Sequence, residues 1–248
     1  MRIWHDLHGD AGAPMLVLPC SLGTSRELWD PTPYAQRFRV LRYEHRGHGE
    51  STTTPGPYTV EELAGDALAL LDELDVERAS WIGLSLGGMV AMWIAASAPE
   101  RIERLVLACT SARVPAPQAY AERAGIVRDQ GVEPVADAVV ARWFTSAAPD
   151  ALRARFRSIL VATPAEGYAG CCEALARWDF RERLAEVAVP TLVLAGADDE
   201  AIPATDTDLL VESIPAARGT VLDGAAHLAN LEQPEAFAAA ALAHLEAA

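Results

Sequence analysis

Apolar positions along this chain fall into two patterns. Short continuous runs (Met15-Leu16-Val17-Leu18, Arg39 to Tyr43, Ala79 to Gly83, Ile102 to Ala108, Val189 to Ala195) predict buried strands. Met1 to Leu7 alternates loosely and predicts an edge strand, and Gly219 to Leu222 predicts a short final one. Between the runs, apolar residues recur every three or four positions. Leu63, Ala67, Leu70, Leu71 and Leu74 form the buried stripe of one such helix, and Thr59 with Glu62 three residues later predicts a capping box at its start. Further helices are expected from about Ala204 to Ser213 and from Pro234 onward. Strands alternating with helices predict an α/β protein with a mostly parallel sheet flanked by helices.

One stretch breaks the alternation. From Ser111 to about Arg183 there is little strand pattern, and helical segments are punctuated by Pro115, Pro117, Pro134, Pro149 and Pro164. Arginines and aromatics concentrate here, among them Arg113, Arg123, Arg142, Trp143, Arg157 and Tyr168. Because the segment follows a strand directly, it is expected to form a helical cap over the sheet. The chain then divides into a core of residues 1–110 and 184–248 and a cap of residues 111–183.

The strand that ends at Gly83 runs into Gly83-Leu84-Ser85-Leu86-Gly87, after which a helical pattern begins. Strand, G-x-S-x-G turn and helix together describe a nucleophile elbow. A serine at so tight a turn is held in a strained conformation, and glycine on both flanks removes the side chains that would collide there. The alternative is a tight turn whose serine merely caps the helix. Cys20-Ser21-Leu22-Gly23-Thr24 follows an earlier strand and is a candidate for a second oxyanion donor, with the Leu22 and Leu86 N–H groups as the pair.

An acid and a histidine complete the pattern. Asp198 and Asp199 follow the strand ending at Ala195, and His227 follows the last strand. Ser85, Asp199, His227 is one of the known chain orders of a Ser-His-Asp triad. Asp198 competes with Asp199; Asp223 and Glu232 are weaker competitors. His45 and His48 lie in Glu44-His45-Arg46-Gly47-His48-Gly49-Glu50-Ser51 and read as polar groups tying a glycine-rich loop together. His5, His8 and His244 lie near the termini and are expected to be solvated.

Composition narrows the partners. The 248 residues carry a formal charge of −15, which disfavours nucleic acid and anionic membrane surfaces. All 20 basic residues are arginine, so lysine Schiff-base chemistry is excluded and a cation that grips an anion must be arginine or protonated histidine. Cys20, Cys109, Cys171 and Cys172 have no framework or zinc spacing and read as reduced thiols. No long apolar span or leader pattern is evident, so a cytoplasmic protein without metal or cofactor, acting on a small molecule, is expected.

Taken together these motifs resemble the α/β-hydrolase superfamily and, within it, the 3-oxoadipate enol-lactonases. The superfamily likeness rests on the elbow, Arg46-Gly47-His48-Gly49 with Ser51, and Ala226-His227. The narrower likeness rests on Ser21-Leu22-Gly23-Thr24 with Trp29-Asp30, Arg142-Trp143-Phe144-Thr145, Gly167-Tyr168-Ala169-Gly170-Cys171-Cys172, Asp179-Phe180-Arg181 and Ala225-Ala226-His227-Leu228-Ala229-Asn230. The resemblance implies an α/β-hydrolase fold with the cap inserted after the sixth strand, Asp199 as the acid, and Trp143 facing the active site. It implies opening of an enol-lactone ring. Such a substrate carries a carboxylate, so at least one arginine, or failing that a histidine, is expected over Ser85, with Arg142 ranked first and Arg113 or Arg157 next.

Overall fold

The continuous apolar runs are strands of one seven-stranded sheet in the computed structural model of the chain, which describes residues 1–247. The strands are β1 (His5–His8), β2 (Met15–Pro19), β3 (Arg39–Tyr43), β4 (Ala79–Leu84), β5 (Ile102–Ala108), β6 (Thr191–Gly196) and β7 (Ala217–Leu222). Their spatial order is β1-β3-β2-β4-β5-β6-β7. Only β1 runs antiparallel to its neighbour; the other pairings are parallel. The chain leaves β2 to one side to form β3 and returns to the other side as β4. The loops after β2 and β4 therefore diverge at the carboxyl edge of the sheet, where open α/β sheets bind their ligands.

Side chains alternate between two cores, as the pleat requires. Leu16, Leu18, Ile82, Leu84 and Val106 point to one face, and Val17, Trp81, Leu105 and Leu107 to the other. The second core is closed by α1 (Val60–Glu73) and α2 (Leu86–Ser97). The capping box of α1 forms as expected, with Glu62 N–H on Thr59 Oγ1 and Thr59 N–H on Glu62 Oε2. β4 and β6 are buried along their whole length, which accounts for their unbroken apolar sequence.

The segment after β5 contains α3 (Pro117–Gln130), α4 (Glu133–Trp143), α5 (Asp150–Ala162) and α6 (Ala165–Arg177). Its prolines stand at or just before helix starts, where a missing N–H costs nothing. The two ends of the segment meet: Arg113 bridges Asp179, Phe180 N–H donates to Ala112 O, and Trp178 Nε1–H donates to Ser111 O. The chain finishes with α7 (Ala204–Ser213), α8 (Ala229–Glu232) and α9 (Pro234–Leu245).

Three expectations need correction. The helical segment follows the fifth strand of this chain, not the sixth. The amino-terminal strand is β1 alone, because Arg2 and Trp4 spend their backbone groups on Ser51, Thr52 and Glu44 of a neighbouring loop. His244 is buried rather than solvated: α9 packs against the sheet and sets the ring Nε2 3.2 Å from Pro190 O. Among the described residues no helix is long and apolar enough to cross a membrane.

Candidate active site

Ser85 is the turn between β4 and α2 and has φ 53°, ψ −119°, a conformation that side chains other than glycine rarely adopt. Its backbone is clamped on three sides. Ser85 N–H donates to Ala108 O at 2.9 Å, and Ser85 O accepts from Met89 N–H at 3.1 Å and from Thr110 Oγ1 at 2.8 Å. The flanking glycines are sterically required. A Cβ on Gly83 would lie 2.4 Å from Gly87 O, and one on Gly87 would lie 2.9 Å from the Pro19 ring at the end of β2. The Ser85 side chain makes no capping hydrogen bond to α2, which removes the helix-cap reading. Leu86 N–H, first in the helix, has no backbone acceptor among the described residues, and the positive end of the helix dipole adds to its pull on an anion.

His227 and Asp199 are joined by Nδ1 and Oδ2 at 2.9 Å, with their side chains only 7% and 2% exposed. The other carboxylate oxygen, Asp199 Oδ1, accepts from Ala201 N–H at 2.8 Å and Ile202 N–H at 3.0 Å. Three donors thus converge on Asp199 and fix its plane. Asp198 is exposed and makes no ion pair with His227 among the described residues. Glu232 serves another purpose. It accepts from Ala226 N–H on one oxygen and from Thr145 N–H and Oγ1–H on the other, and Leu228 N–H donates to Trp143 O at 3.0 Å. The histidine loop is thereby tied to the end of α4.

Within residues 20–24 of the loop after β2, one N–H is left over among the described residues. Cys20 N–H donates to Tyr43 O, Ser21 N–H to Thr24 Oγ1, Gly23 N–H to His48 Nε2 and Thr24 N–H to Ser21 O. Among the described residues Leu22 N–H has no acceptor.

Ser85, His227 and Leu22 line one small cavity of about 40 Å³. Its roof comes from the helical segment: Tyr120 and Arg123 from α3, Arg142 and Trp143 from α4, Tyr168 and Leu175 from α6. Arg142 and Trp143 are where the sequence puts them, though Arg142 is largely exposed at the rim and Trp143 is buried. Arg113 and Arg157 are elsewhere. Arg113 approaches Asp179 at 3.9 Å, and Arg157 is held at 2.6 Å by both Glu133 and Asp137. Arg123 takes the place expected for them. It is half-buried, its guanidinium stands 4.8 Å from the centre of the Tyr120 ring, and no carboxylate of the described residues reaches it. The Tyr168 hydroxyl is buried beside it and interacts with the guanidinium, although no hydrogen bond of ordinary geometry joins the two. A signal for Arg123 was present: Tyr120, Arg123, Ala124 and Val127 share one helical stripe, so this arginine sits on the inward face.

A strained serine over a helix start, a buried His–Asp pair and two unspent N–H groups on the carboxyl edge of a parallel sheet define a hydrolase. The chain belongs to the alpha/beta-hydrolase fold family, whose sequence model matches residues 13–234. Within that family it is a carboxylic ester hydrolase, similar over most of its length to proteins named as enol-lactonases. It is 39% identical to 3-oxoadipate enol-lactonase 2 of Acinetobacter baylyi, over 92% of this chain and 87% of that one. The crystal structure of the enol-lactonase from Burkholderia xenovorans LB400 superposes with a TM-score of 0.96 at 38% identity, covering 99% of this chain and 96% of that one. A relative from Azorhizobium caulinodans, provisionally named carbamate hydrolase RutD, is 30% identical over 95% of this chain and 91% of its own length.

Proposed function

We propose that the chain hydrolyses a carboxylated enol-lactone, with 3-oxoadipate enol-lactone as the preferred substrate, through a covalent acyl-enzyme. Ser85 Oγ attacks the ring carbonyl while His227 Nε2 takes its proton. Asp199 accepts from His227 Nδ1–H, which fixes the tautomer and stabilises the imidazolium. The carbonyl oxygen, now an anion, lies between Leu22 N–H and Leu86 N–H; losing one such donor typically costs about 2.7–4 kcal/mol. Collapse of the tetrahedral intermediate breaks the ring C–O bond. The leaving group is an enolate, which takes the proton held by His227 and tautomerises to the ketone, leaving His227 neutral again. Water deprotonated by His227 then attacks the acyl-Ser85 ester, and Ser85 leaves with the proton carried by His227. Every proton is handled by the pair, so the scheme calls for no cofactor.

The substrate reading rests on one observation: Arg123 lines the cavity with no carboxylate beside it. Most arginines of the helical segment are satisfied by acidic side chains or carbonyl oxygens. A half-buried guanidinium without such a partner is suited to a substrate carboxylate, which it can hold by two parallel hydrogen bonds. Helices α3, α4 and α6 then act as a cap that selects the substrate while the sheet edge supplies the chemistry.

Steady-state assays of the purified protein on the enol-lactone, a neutral aryl ester and an alkyl carbamate test this. The enol-lactone is expected to have the highest kcat/KM, and Ser85→Ala to abolish turnover of it, by about 10⁶-fold by analogy with other serine hydrolases. A preference for the carbamate or the neutral ester would overturn the substrate. An active, folded Ser85→Ala protein would overturn the mechanism.

A further inference from the structure

The proposed chemistry depends on where the Leu22 N–H points, and Leu22 lies between two locked peptide planes. The first plane contains Ser21 C=O and Leu22 N–H. Its carbonyl accepts from both Thr24 N–H at 3.0 Å and Thr24 Oγ1–H at 2.9 Å. In a trans peptide the N–H points opposite to the C=O, so Thr24 turns the Leu22 N–H away from itself. The second plane contains Gly23 N–H, which donates to His48 Nε2 at 2.9 Å. Gly23 has φ +71°, and a Cβ there would lie 2.5 Å from Leu160 and 3.0 Å from Tyr168. The second plane is therefore squeezed between the helical segment and one imidazole nitrogen.

That imidazole is itself held from behind. His48 is fully buried, its Nδ1 lies 3.3 Å from Arg46 O, and its own N–H donates to His45 O at 3.0 Å. Arg46 is anchored to Asp66 of α1 by a two-pronged pair at 2.5 and 2.6 Å. Because Gly23 N–H can only donate, Nε2 must present its lone pair and the proton must sit on Nδ1, facing Arg46 O. Burial pushes the His48 pKa down to about 4, which keeps the ring in this neutral form at the pH of most assays. Nothing else among the described residues accepts from Gly23 N–H.

We infer that His48, 25 residues away in sequence from the peptide it holds, is the positioning residue of the Leu22 oxyanion donor. It touches neither substrate nor Ser85. It acts by fixing the Leu22–Gly23 plane, and with the Thr24 clamp on the other side it sets both backbone angles of Leu22. Without it, Gly23 N–H would be a buried donor with no acceptor, and the plane would turn to find one. The inference rests on the acyl-enzyme reading above.

The test compares two substitutions. His48→Leu keeps an apolar filling and removes the acceptor; His48→Gln puts Oε1 near the position of Nε2 and keeps one. For His48→Leu we expect kcat to fall about 30-fold, somewhat less than the 10²–10³ lost when a donor is deleted outright. KM should stay within about twofold, and the affinity for a phenylboronic acid, whose tetrahedral adduct on serine mimics the oxyanion, should fall by the factor seen in kcat. His48→Gln should recover most of both. If His48→Leu does not fold, as judged by near-UV circular dichroism, His48→Asn serves instead: it is polar but too short to reach, and should lose kcat while His48→Gln retains it. Unchanged kcat in the acceptor-free variant, or equal losses in the glutamine and acceptor-free variants, would overturn the inference. So would a loss confined to KM. An inactive Ser85→Ala protein alongside a fully active His48→Leu would reject the role of His48 alone, whereas an active Ser85→Ala protein would remove the reading beneath it.

Discussion

The edge of the sheet and the helices above it hold their polar groups in opposite ways. At the edge, the fixing hydrogen bonds have a peptide group on at least one side, save the one between His227 and Asp199. Ser85 is clamped by Ala108, Met89 and Thr110, Asp199 by two N–H groups and His227, and the Leu22 loop by Thr24 and His48. In the helical segment, long side chains pair with each other near solvent: Arg128 with Glu166 and Glu173, Arg155 with Glu27, Arg157 with Glu133 and Asp137. Surface pairs of this kind contribute little to stability and are easily rearranged. The difference suggests a division of labour. Geometry that must hold within a fraction of an ångström is built from peptide planes and glycines, whereas the choice of substrate is left to side chains that can be exchanged without disturbing it.

The sharpest way to break this comparison is at the edge itself. Asp199→Asn should lower kcat by about 10⁴-fold, as in other triads, because the amide leaves His227 in the wrong tautomer. Asp198→Asn, one residue away but exposed, should change kcat by less than about threefold. Comparable losses in the two variants would mean that the loop as a whole, rather than the Asp199 carboxylate, orients the histidine.

The same contrast decides how much could be read in advance. The residues proposed for the site, Ser85, Asp199, His227, Leu22 and Leu86, could be picked out because each follows a predicted strand, and because the backbone demands of a tight turn are written as Gly83 and Gly87. The roof was legible only as a composition. Arg142 and Trp143 line the cavity as expected, but Arg113 and Arg157 were ranked above Arg123 because adjacency to aromatic residues says little about which way a helical side chain faces. Acidic partners in other helices, such as Glu133 and Asp137 for Arg157, are known only once the helices are packed. His244 was missed for a related reason: nearness to the carboxyl end of a chain is not exposure when the last helix lies on the sheet. Of the two histidines of the 44–51 loop that were read as tying backbone together, only His48 does so, and the backbone it ties belongs to a different loop; neither ring nitrogen of His45 has a partner among the described residues.

In the roof, the expected effects are smaller and specific to the substrate. Arg123→Ala should raise KM for the carboxylated lactone by about 10- to 100-fold, the loss of a charge-assisted hydrogen bond or two, and leave a neutral aryl ester nearly unaffected. Arg142→Ala, at the exposed rim, should raise KM by less than about fivefold on the same lactone. Steady-state kinetics on the two substrates separate the outcomes. Equal changes for charged and neutral substrates would show that Arg123 shapes the cavity without gripping an anion, and would favour an esterase for uncharged substrates.

The remaining effect is on stability rather than on rate, and it sharpens the comparison by asking what the rigid edge costs. His45 and His48 are both fully buried beside the loop that follows β2. Burial lowers the pKa of His45 to about 3, helped by repulsion from His48, and that of His48 to about 4. His45 packs edge-on against Tyr43, and neither of its ring nitrogens has a partner among the described residues. Of the nearby charged groups, Arg46 is paired with Asp66, while the buried Glu44 carboxylate accepts from Arg26 and Glu50 N–H. Above pH ~6.5 both rings are neutral whether the chain is folded or not, and they contribute no pH dependence. Below that, the unfolded chain takes up protons that the folded one refuses, so stability is lost as the pH falls from ~6.5 towards 4. The difference of about 2.5 pH units at His48 corresponds to about 3 kcal/mol over that window. Urea denaturation followed at pH 7, 6, 5 and 4.5 should show the midpoint falling with pH in the native protein. His48→Gln, which keeps the acceptor but cannot titrate, should give a shallower fall that leaves the His45 part in place. A profile in His48→Gln as steep as the native one would mean that the edge is held without a buried neutral imidazole at position 48.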